Sequence, residues 1–440
     1  MLGTFAKAFR TPDLRRKLLF TMGIMVLFRV GSFIPTPGVD YGAIKQMQDQ
    51  TQGDSLLGLI NLFSGGALLQ LSVFALGIMP YITASIITQL LRVVIPRFET
   101  LHKEGQAGQS KLTQYTRYLT IALAVLQSTM VITTARTGAL FGQAGAENAP
   151  EIIYNDGPMT IALMILTMTA GTGVIMWLGE LITEKGVGNG MSLLIFTSIV
   201  AGFPGSMASI LQTGGAGGGV RNFIIVLMVF FLVIGAVIFV EQSQRRIPVQ
   251  YAKRMVGRRT YGGSSTYLPI KINMAGVIPV IFASSILSLP SMLTQFVRDE
   301  QRGNRVVLWI MNNFHSQAGV YMLAYAGLII FFAFFYTAIT FNPEEVADNM
   351  KKYGGFIPGI RAGRPTSEYL HYVINRVNTA GSLYLAIVAL IPQVLFGILK
   401  ISNNLPFGGT TLLIIVGVGL DTVKQIESQL QQRHYDGFLR

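Results

Sequence analysis

The chain has 440 residues, 51% hydrophobic and only 12% charged, with a formal net charge of +13. Half the charge of an ordinary soluble domain excludes a water-soluble globule, and the lack of cysteine excludes disulfide and thiolate chemistry. Apolar runs of about 18 residues or more recur from end to end, the signature of a polytopic helical membrane protein.

The chain opens on a basic amphipathic tail (Lys7, Arg10, Arg15, Arg16, Lys17) that runs into an apolar stretch without a small-residue cleavage site. It reads as a retained first helix, not a signal peptide. Ten spans are predicted, at about 18–36, 72–95, 118–136, 158–180, 191–211, 222–240, 275–296, 319–340, 378–399 and 409–428. With the N-terminus in the cytosol, all but eight of the 34 Lys and Arg fall on the inner side. The exceptions are Arg29, Lys45, Arg136, Arg221, Arg298, Arg302, Arg305 and Lys400. This asymmetry follows the positive-inside rule and predicts both termini in the cytosol.

Before span two stands "NLFSGGALLQL" (61–71), too short and too polar to cross a bilayer. Gly65 and Gly66 each weaken a helix interior by about 1 kcal/mol relative to alanine. Two inner loops, at about 241–274 and 342–377, are long for a compact membrane protein. Their Tyr, Ile and Val content with Gly and Pro punctuation predicts ordered hairpins.

"GIMPYITASII" (77–87) and "GVIPVIFASSI" (276–286) share a G-x-x-P-x-I-x-A-S frame. Gly77 matches Gly276, Pro80 matches Pro279, and Ile82 matches Ile281. The offset is close to half the chain. The frame points to a duplication with five spans per half, residues 1–211 and 212–440. An odd number of spans per half inverts the second copy, and such proteins place their pathway between the halves. Ile78 and Ile82 are four residues apart and stack on one helix face. They read either as part of a hydrophobic constriction or as ordinary helix packing.

Ionisable residues that would mark an ion or proton path are nearly absent from the spans. Arg29 lies toward an outer end and can snorkel; Glu180 and Asp421 lie near inner ends, where each reads as a cap or a local pair. "GVGNG" (186–190) and "GGAGGG" (214–219) lack the context of a phosphate loop and read as turns. The four His are scattered, and no metal, cofactor or catalytic site is expected. An inverted-repeat secondary transporter is the alternative, and it requires a polar site at the midplane.

Long stretches of the chain resemble the SecY family of bacterial protein translocases. They include "TPDLRRKLLFT", "NLFSGGALLQLSVFALGIMPYITASIITQLL", "LTQYTRY", "MWLGELITEKGVGNGMSLLIF", "QRRIPVQYAKRMVGRR", "STYLPIKINMAGVIPVIFASSI", "FFYTAITFNPEEVADNMKKYGGFIPGIRAGRPT" and "FGGTTLLI". The resemblance implies an all-α clam-shell of two five-helix halves and a protein-conducting channel, not an enzyme, in the bacterial plasma membrane. It implies a pore ring at Ile78, Ile82, Ile195, Ile281 and Ile414. It also implies a short re-entrant plug helix over about 57–71, with Asn61, Phe63, Ser64, Gly65, Gly66 and Leu68. A lateral gate is expected between spans 2–3 and 7–8, with Thr83, Gln127 and Ser284 as its polar contacts. Arg258, Arg259 and Arg361 are expected to bind the SecA motor or the ribosome. The further partners implied are the SecE and SecG subunits, signal peptides, nascent chains and membrane lipids. One departure is Ala362, where the family pattern has proline; it puts the geometry of that loop tip in question.

Overall fold

The computed structural model describes residues 9–44, 64–136, 152–153, 157–213, 218–251, 254–256, 259–261, 265–294, 318–399 and 409–436. Each of the ten predicted stretches contains a helix there. In chain order these are α1 (Pro12–Gly31), α2 (Met79–Val94), α4 (Gln106–Arg136), α5 (Pro158–Lys185) and α6 (Gly190–Thr213), with the short α3 (Pro96–Lys103) after α2. Then come α7 (Gly218–Gln242), α8 (Ile278–Thr294), α9 (Gly319–Thr340), α11 (Arg364–Leu399) and α12 (Gly409–Asp436), with the short α10 (Pro343–Lys352) after α9. Among the described residues, five helices are long and apolar enough to cross a membrane: Gln106–Arg136, Pro158–Lys185, Phe223–Gln242, Gly319–Lys352 and Arg364–Val394.

The helix ends follow local chemistry. Pro158 opens α5 behind Gly157, where its missing N–H removes no hydrogen bond, and Lys185 and Gly186 close it. Pro343, just beyond α9, stops that helix; the Asn342 side chain then caps α10 by accepting from the Glu344 N–H. "GVGNG" forms the turn between α5 and α6, and Asn189 Oδ1 accepts from the N–H groups of Met191 and Ser192.

Four predicted boundaries shift by seven residues or more: span three is helical from Gln106, twelve residues before its predicted start, span ten runs on to Asp436, and spans two and nine begin elsewhere. Span two begins as a helix only at Met79, because residues 73–78 form successive turns and Gly77 is left-handed (φ 56°). Its repeat partner Gly276 is also left-handed (φ 61°), and α8 likewise begins two residues later, at Ile278. Glycine adopts this conformation without the Cβ penalty, so both copies use one device to start a helix. Span nine extends the other way: α11 is helical from Arg364, fourteen residues before the predicted start.

Neighbour relations recur between the halves. In the first half α1 packs on α5 and α6, α2 on α4, α4 on α5, and α5 on α6. In the second, α7 packs on α11 and α12, α8 on α9, α9 on α11, and α11 on α12. The halves meet on one side through α6 with α7 and α12, and on another through α2 with α8. Buried polar links tie helices within each half. Thr116 Oγ1 donates to Thr88 Oγ1 at 3.2 Å between α4 and α2, and Thr337 Oγ1 donates to Asn378 Oδ1 at 3.0 Å between α9 and α11. Tyr325 and Thr410 share a 2.6 Å hydroxyl–hydroxyl bond between α9 and α12.

The two long loops form one platform instead of separate hairpins. Strand β1 (Gln244–Tyr251) pairs antiparallel with β4 (Ser265–Lys271) of its own loop and with β5 (Gly355–Phe356) of the other. A small hairpin of β2 (Arg254–Val256) and β3 (Arg259–Tyr261) lies at the far end of the first loop. Ile247, Ile270 and Ile357 bury against Leu370, Val373 and Ile374 of α11, so an apolar core holds the platform on that helix.

Candidate pore and its approaches

Ile78 precedes the first turn of α2 and Ile82 lies one turn on, where the 3.6-residue period aligns their side chains. Ile195, Ile281 and Ile414 lie in the first two turns of α6, α8 and α12. All five enter one hydrophobic cluster, with exposures of 2%, 9%, 5%, 8% and 1% in chain order. Five isoleucines spread over more than 300 residues of sequence thus converge where the halves meet. At under a tenth exposed, each is buried, and Ile82, Ile195 and Ile281 keep only an edge toward open space.

A cavity of about 500 Å³ opens onto one side of this cluster. Ile82, Ile195 and Ile281 line its floor, and Tyr81, Arg117, Glu180 and Tyr336 line its walls. A second cavity of about 550 Å³ shares Asn189, Ser192, Ile278 and Tyr336 with it, and reaches Glu241, Lys271 and Asp421. Three of the five isoleucines therefore form the floor of a polar funnel, with Ile78 and Ile414 packed beside them in the same cluster. Glu180, expected as a cap or a local pair, is instead held by a residue distant in sequence through a bidentate bond: Arg117 Nε donates to Oε1 at 2.8 Å and Nη2 to Oε2 at 2.7 Å. Asp421, with the same expectation, lies 3.7 Å from Lys271 Nζ. The Arg117–Glu180 fork locks α4 to α5 at the funnel wall. Its partners are 63 positions apart, a pairing that no local pattern reveals.

The segment Ser64–Leu71 lies on the opposite side of this cluster. Along α6, Met191 and Ser192 line the cavity, Ile195 joins the cluster, and Ser198 one turn later meets Gly65. Funnel, isoleucine cluster and segment thus follow one another along one helix. The re-entrant helix implied by the resemblance is not formed in this part. Ser64–Leu71 is a run of turns, because Gly65 (φ 68°), Gly66 (φ 90°) and Leu71 (φ 44°) are all left-handed. Ser64, Ala67, Leu68 and Leu71 are fully buried, and Leu68 and Leu71 pack with Ile44, Leu76, Ile132 and Met168. Asn61 and Phe63 lie outside the described residues. Arg29 does not snorkel: its Nη1 donates to the Gly65 carbonyl at 2.6 Å, and its guanidinium stacks on Phe33 at 4.6 Å. A cation within a span is costly unless paired, and that cost is the sequence signal pointing to a partner for Arg29.

The helices on either side of the funnel are α2 and α4 against α8 and α9. Thr83 and Ser284 lie on α2 and α8, and Gln127 is half-buried on α4. The Thr83 hydroxyl donates to the Met79 carbonyl at 3.0 Å and the Ser284 hydroxyl to the Ile281 carbonyl at 2.9 Å. Each hydroxyl bonds within its own helix, not across the seam. Arg259 belongs to β3, and Arg258 lies outside the described residues. Arg361 is exposed in the turn between β5 and α11. There the Thr366 hydroxyl donates to the Arg361 carbonyl at 2.8 Å and the Thr366 N–H to the Gly363 carbonyl at 3.0 Å. These bonds fix the tip although Ala362 lacks the rigidity of proline.

A family profile for SecY matches residues 72–423. The chain belongs to the SecY family. It is 62% identical to the protein translocase subunit SecY of Streptomyces scabiei, with both chains covered over their full length. It is 55% identical, again over the full length of both, to the subunit of the same name from Mycobacterium bovis. Among solved structures, one described as a protein-conducting channel superposes with a TM-score of 0.59 at 18% identity, covering 94% of this chain and 91% of that one. Another, described as showing that the plug domain of the SecY protein stabilises the closed translocation channel, gives 0.61 at 19% identity with the same coverage. Sec61 from a canine ribosome–channel complex gives 0.56 at 17%. The family consists of translocase subunits with a multi-pass channel fold, and this chain shares both family and fold.

Proposed function

We propose that this chain conducts unfolded polypeptides across the bacterial inner membrane and releases apolar segments sideways into lipid. The observation that carries the reading is the convergence of Ile78, Ile82, Ile195, Ile281 and Ile414 in one buried cluster, three of them (Ile82, Ile195 and Ile281) at the floor of a polar funnel. The task is to pass a chain of any sequence while blocking ions. Aliphatic side chains offer no charge to hold a passing residue, and a dry ring opposes hydrated ions by dewetting. A small-substrate transporter needs polar groups at this level, and the converging residues are aliphatic.

In this reading the chain spans the membrane ten times with both termini cytosolic. Residues 1–211 and 212–440 are inverted halves hinged where α6 meets α7. The segment around 57–71 plugs the ring from outside. The two inner loops whose sequences hold Arg258, Arg259 and Arg361 receive SecA or the ribosome, and SecE and SecG pack on the outer faces. Signal peptides, nascent chains and membrane lipids meet at the seam between α2–α4 and α8–α9. The recurrence of Gly77 as Gly276, of the helix starts and of the neighbour relations supports the two-half arrangement.

Because the chain has no cysteine, each single-cysteine variant carries one thiol. With a secretory precursor halted midway by a folded C-terminal domain, Ile82→Cys and Ile281→Cys crosslink to the precursor. Leu126→Cys, on an outward face 67% exposed, does not. Crosslinking at Leu126 alone refutes the central path. The gate makes a separate prediction: Thr83→Leu, Gln127→Leu and Ser284→Leu together lower the hydrophobicity at which a test segment leaves into lipid. A threshold unmoved from the parent returns these residues to ordinary packing.

A further inference from the structure

Ser64–Leu71 is fastened at its two ends by different chemistry. At the far end Thr36 holds Leu71: its N–H donates to the Leu71 carbonyl at 3.0 Å and its hydroxyl donates to the same oxygen. The chain then continues as a backbone bridge between Pro35 and Ser72, and the Val73 N–H donates to the Ile34 carbonyl at 2.9 Å. Leu71 itself is left-handed, a conformation that costs a branched residue energy and persists only where its surroundings impose it. At the near end Arg29 of α1 holds the segment through the Gly65 carbonyl. Gly65 is wedged there. A Cβ at this position would lie 3.2 Å from Ser198 Cα and 3.3 Å from Arg29 Nη1, on a backbone already left-handed.

We infer that Arg29 is the positioning residue of the plug: a releasable latch that holds Gly65 against α6 while Thr36 and Leu71 form the fixed pivot. The inference rests on the plug reading above. The fixed end is made of backbone and short-range bonds, whereas the latch is one long side chain whose bond is broken by a rotamer change. Its stacking on Phe33 steers the guanidinium, so a freed Arg29 stays close enough to recapture the carbonyl. The contact is specific to a forked, charged donor. Lysine can place one charged donor near Gly65 but cannot stack on Phe33 in the same way.

The test uses the translocase complex purified with its native subunits and carrying Ser64→Cys, a near-isosteric buried reporter. The rate at which a membrane-impermeant maleimide labels this thiol from the outer side measures how often the segment leaves. Loss of a charge-assisted hydrogen bond raises the open fraction by roughly ten- to a hundredfold. Arg29→Gln therefore speeds labelling by about that factor and raises resting conductance, while Arg29→Lys falls between it and the parent. Labelling of Arg29→Gln at the parental rate overturns the latch. Labelling that accelerates while conductance stays at the parental level confirms the latch and refutes the plug as a seal. If Arg29→Gln does not assemble with its partners, Arg29→Lys decides alone: parental labelling refutes the latch, and accelerated labelling supports it.

Discussion

A channel carrying both Ile82→Ser and Ile281→Ser conducts ions at rest, whereas the parent chain holds the bilayer closed. The two positions are repeat partners on α2 and α8, the helices through which the halves touch at the seam. Both also line the floor of the funnel, so water already reaches one face of each side chain. Serine removes the aliphatic bulk and supplies a hydroxyl that holds water in the gap, which defeats a seal based on dewetting. Volume-conserving replacements behave differently. Ile→Leu at either position keeps the ring filled and costs less than about 1.5 kcal/mol in packing. Conductance across a planar bilayer reads the effect, with the Leu variants as controls for folding and assembly. The Ser variant also accepts precursors with weakened signal sequences, because a ring that no longer closes tightly opposes opening less. Conductance of the double Ser variant equal to that of the parent removes the ring from the mechanism.

The second large effect is at Arg361. The residue is exposed, its backbone is fixed by Thr366, and its side chain takes no part in the platform core formed by Ile247, Ile270, Ile357 and Leu370. Arg361→Glu therefore changes folding stability by no more than about 0.5 kcal/mol, the usual range for a surface position. Its effect on a docked partner is much greater. Reversing one member of a desolvated charge pair costs about 2–5 kcal/mol or more, a loss of roughly thirtyfold upward in binding. Motor-driven secretion into vesicles falls accordingly, and ribosome-coupled insertion of a membrane segment falls less. Equal loss in the two assays at normal expression argues against a specific motor contact. Ala362→Pro restores the family pattern next to Arg361, and it leaves secretion unchanged because hydrogen bonds from Thr366 already fix that tip.

Hydropathy and charge placed a helix in each of the ten predicted stretches but missed the short α3 and α10; they were sharpest at α9, whose predicted and observed ranges coincide at 319–340. There an apolar run is bounded on its downstream side by Pro343, so burial and local chemistry agree. They disagree at span two. The run from Ser72 is apolar enough for a helix, but Gly77 in the left-handed region stops it seven residues short. The isoleucines were legible for two reasons, the repeat and the resemblance; neither gave their burial. Pairings distant in sequence were not legible. Arg117 with Glu180, Arg29 with Gly65, and β1 with β5 each depend on how helices pack, and no periodicity records that. The hairpin of β1 and β4 was visible because both strands lie in one loop; the joining of the two loops into one platform was not.

Helix α11 spans 36 residues, about 54 Å at 1.5 Å per residue, and its interior proline, Pro392, lies beyond the stretch that reaches Ala389. One end is embedded in the platform through Leu370, Val373 and Ile374. Further along, Asn378 grips α9, and Leu385, Val388 and Ala389 sit in the core of the second half. A stiff rod clamped at both ends is a lever. A displacement of a few ångströms applied at Arg361 arrives at α9 as a rigid-body tilt, with little lost to bending. In the proposed reading, a machine that grips only the exposed platform gains mechanical purchase on the seam without entering the bilayer.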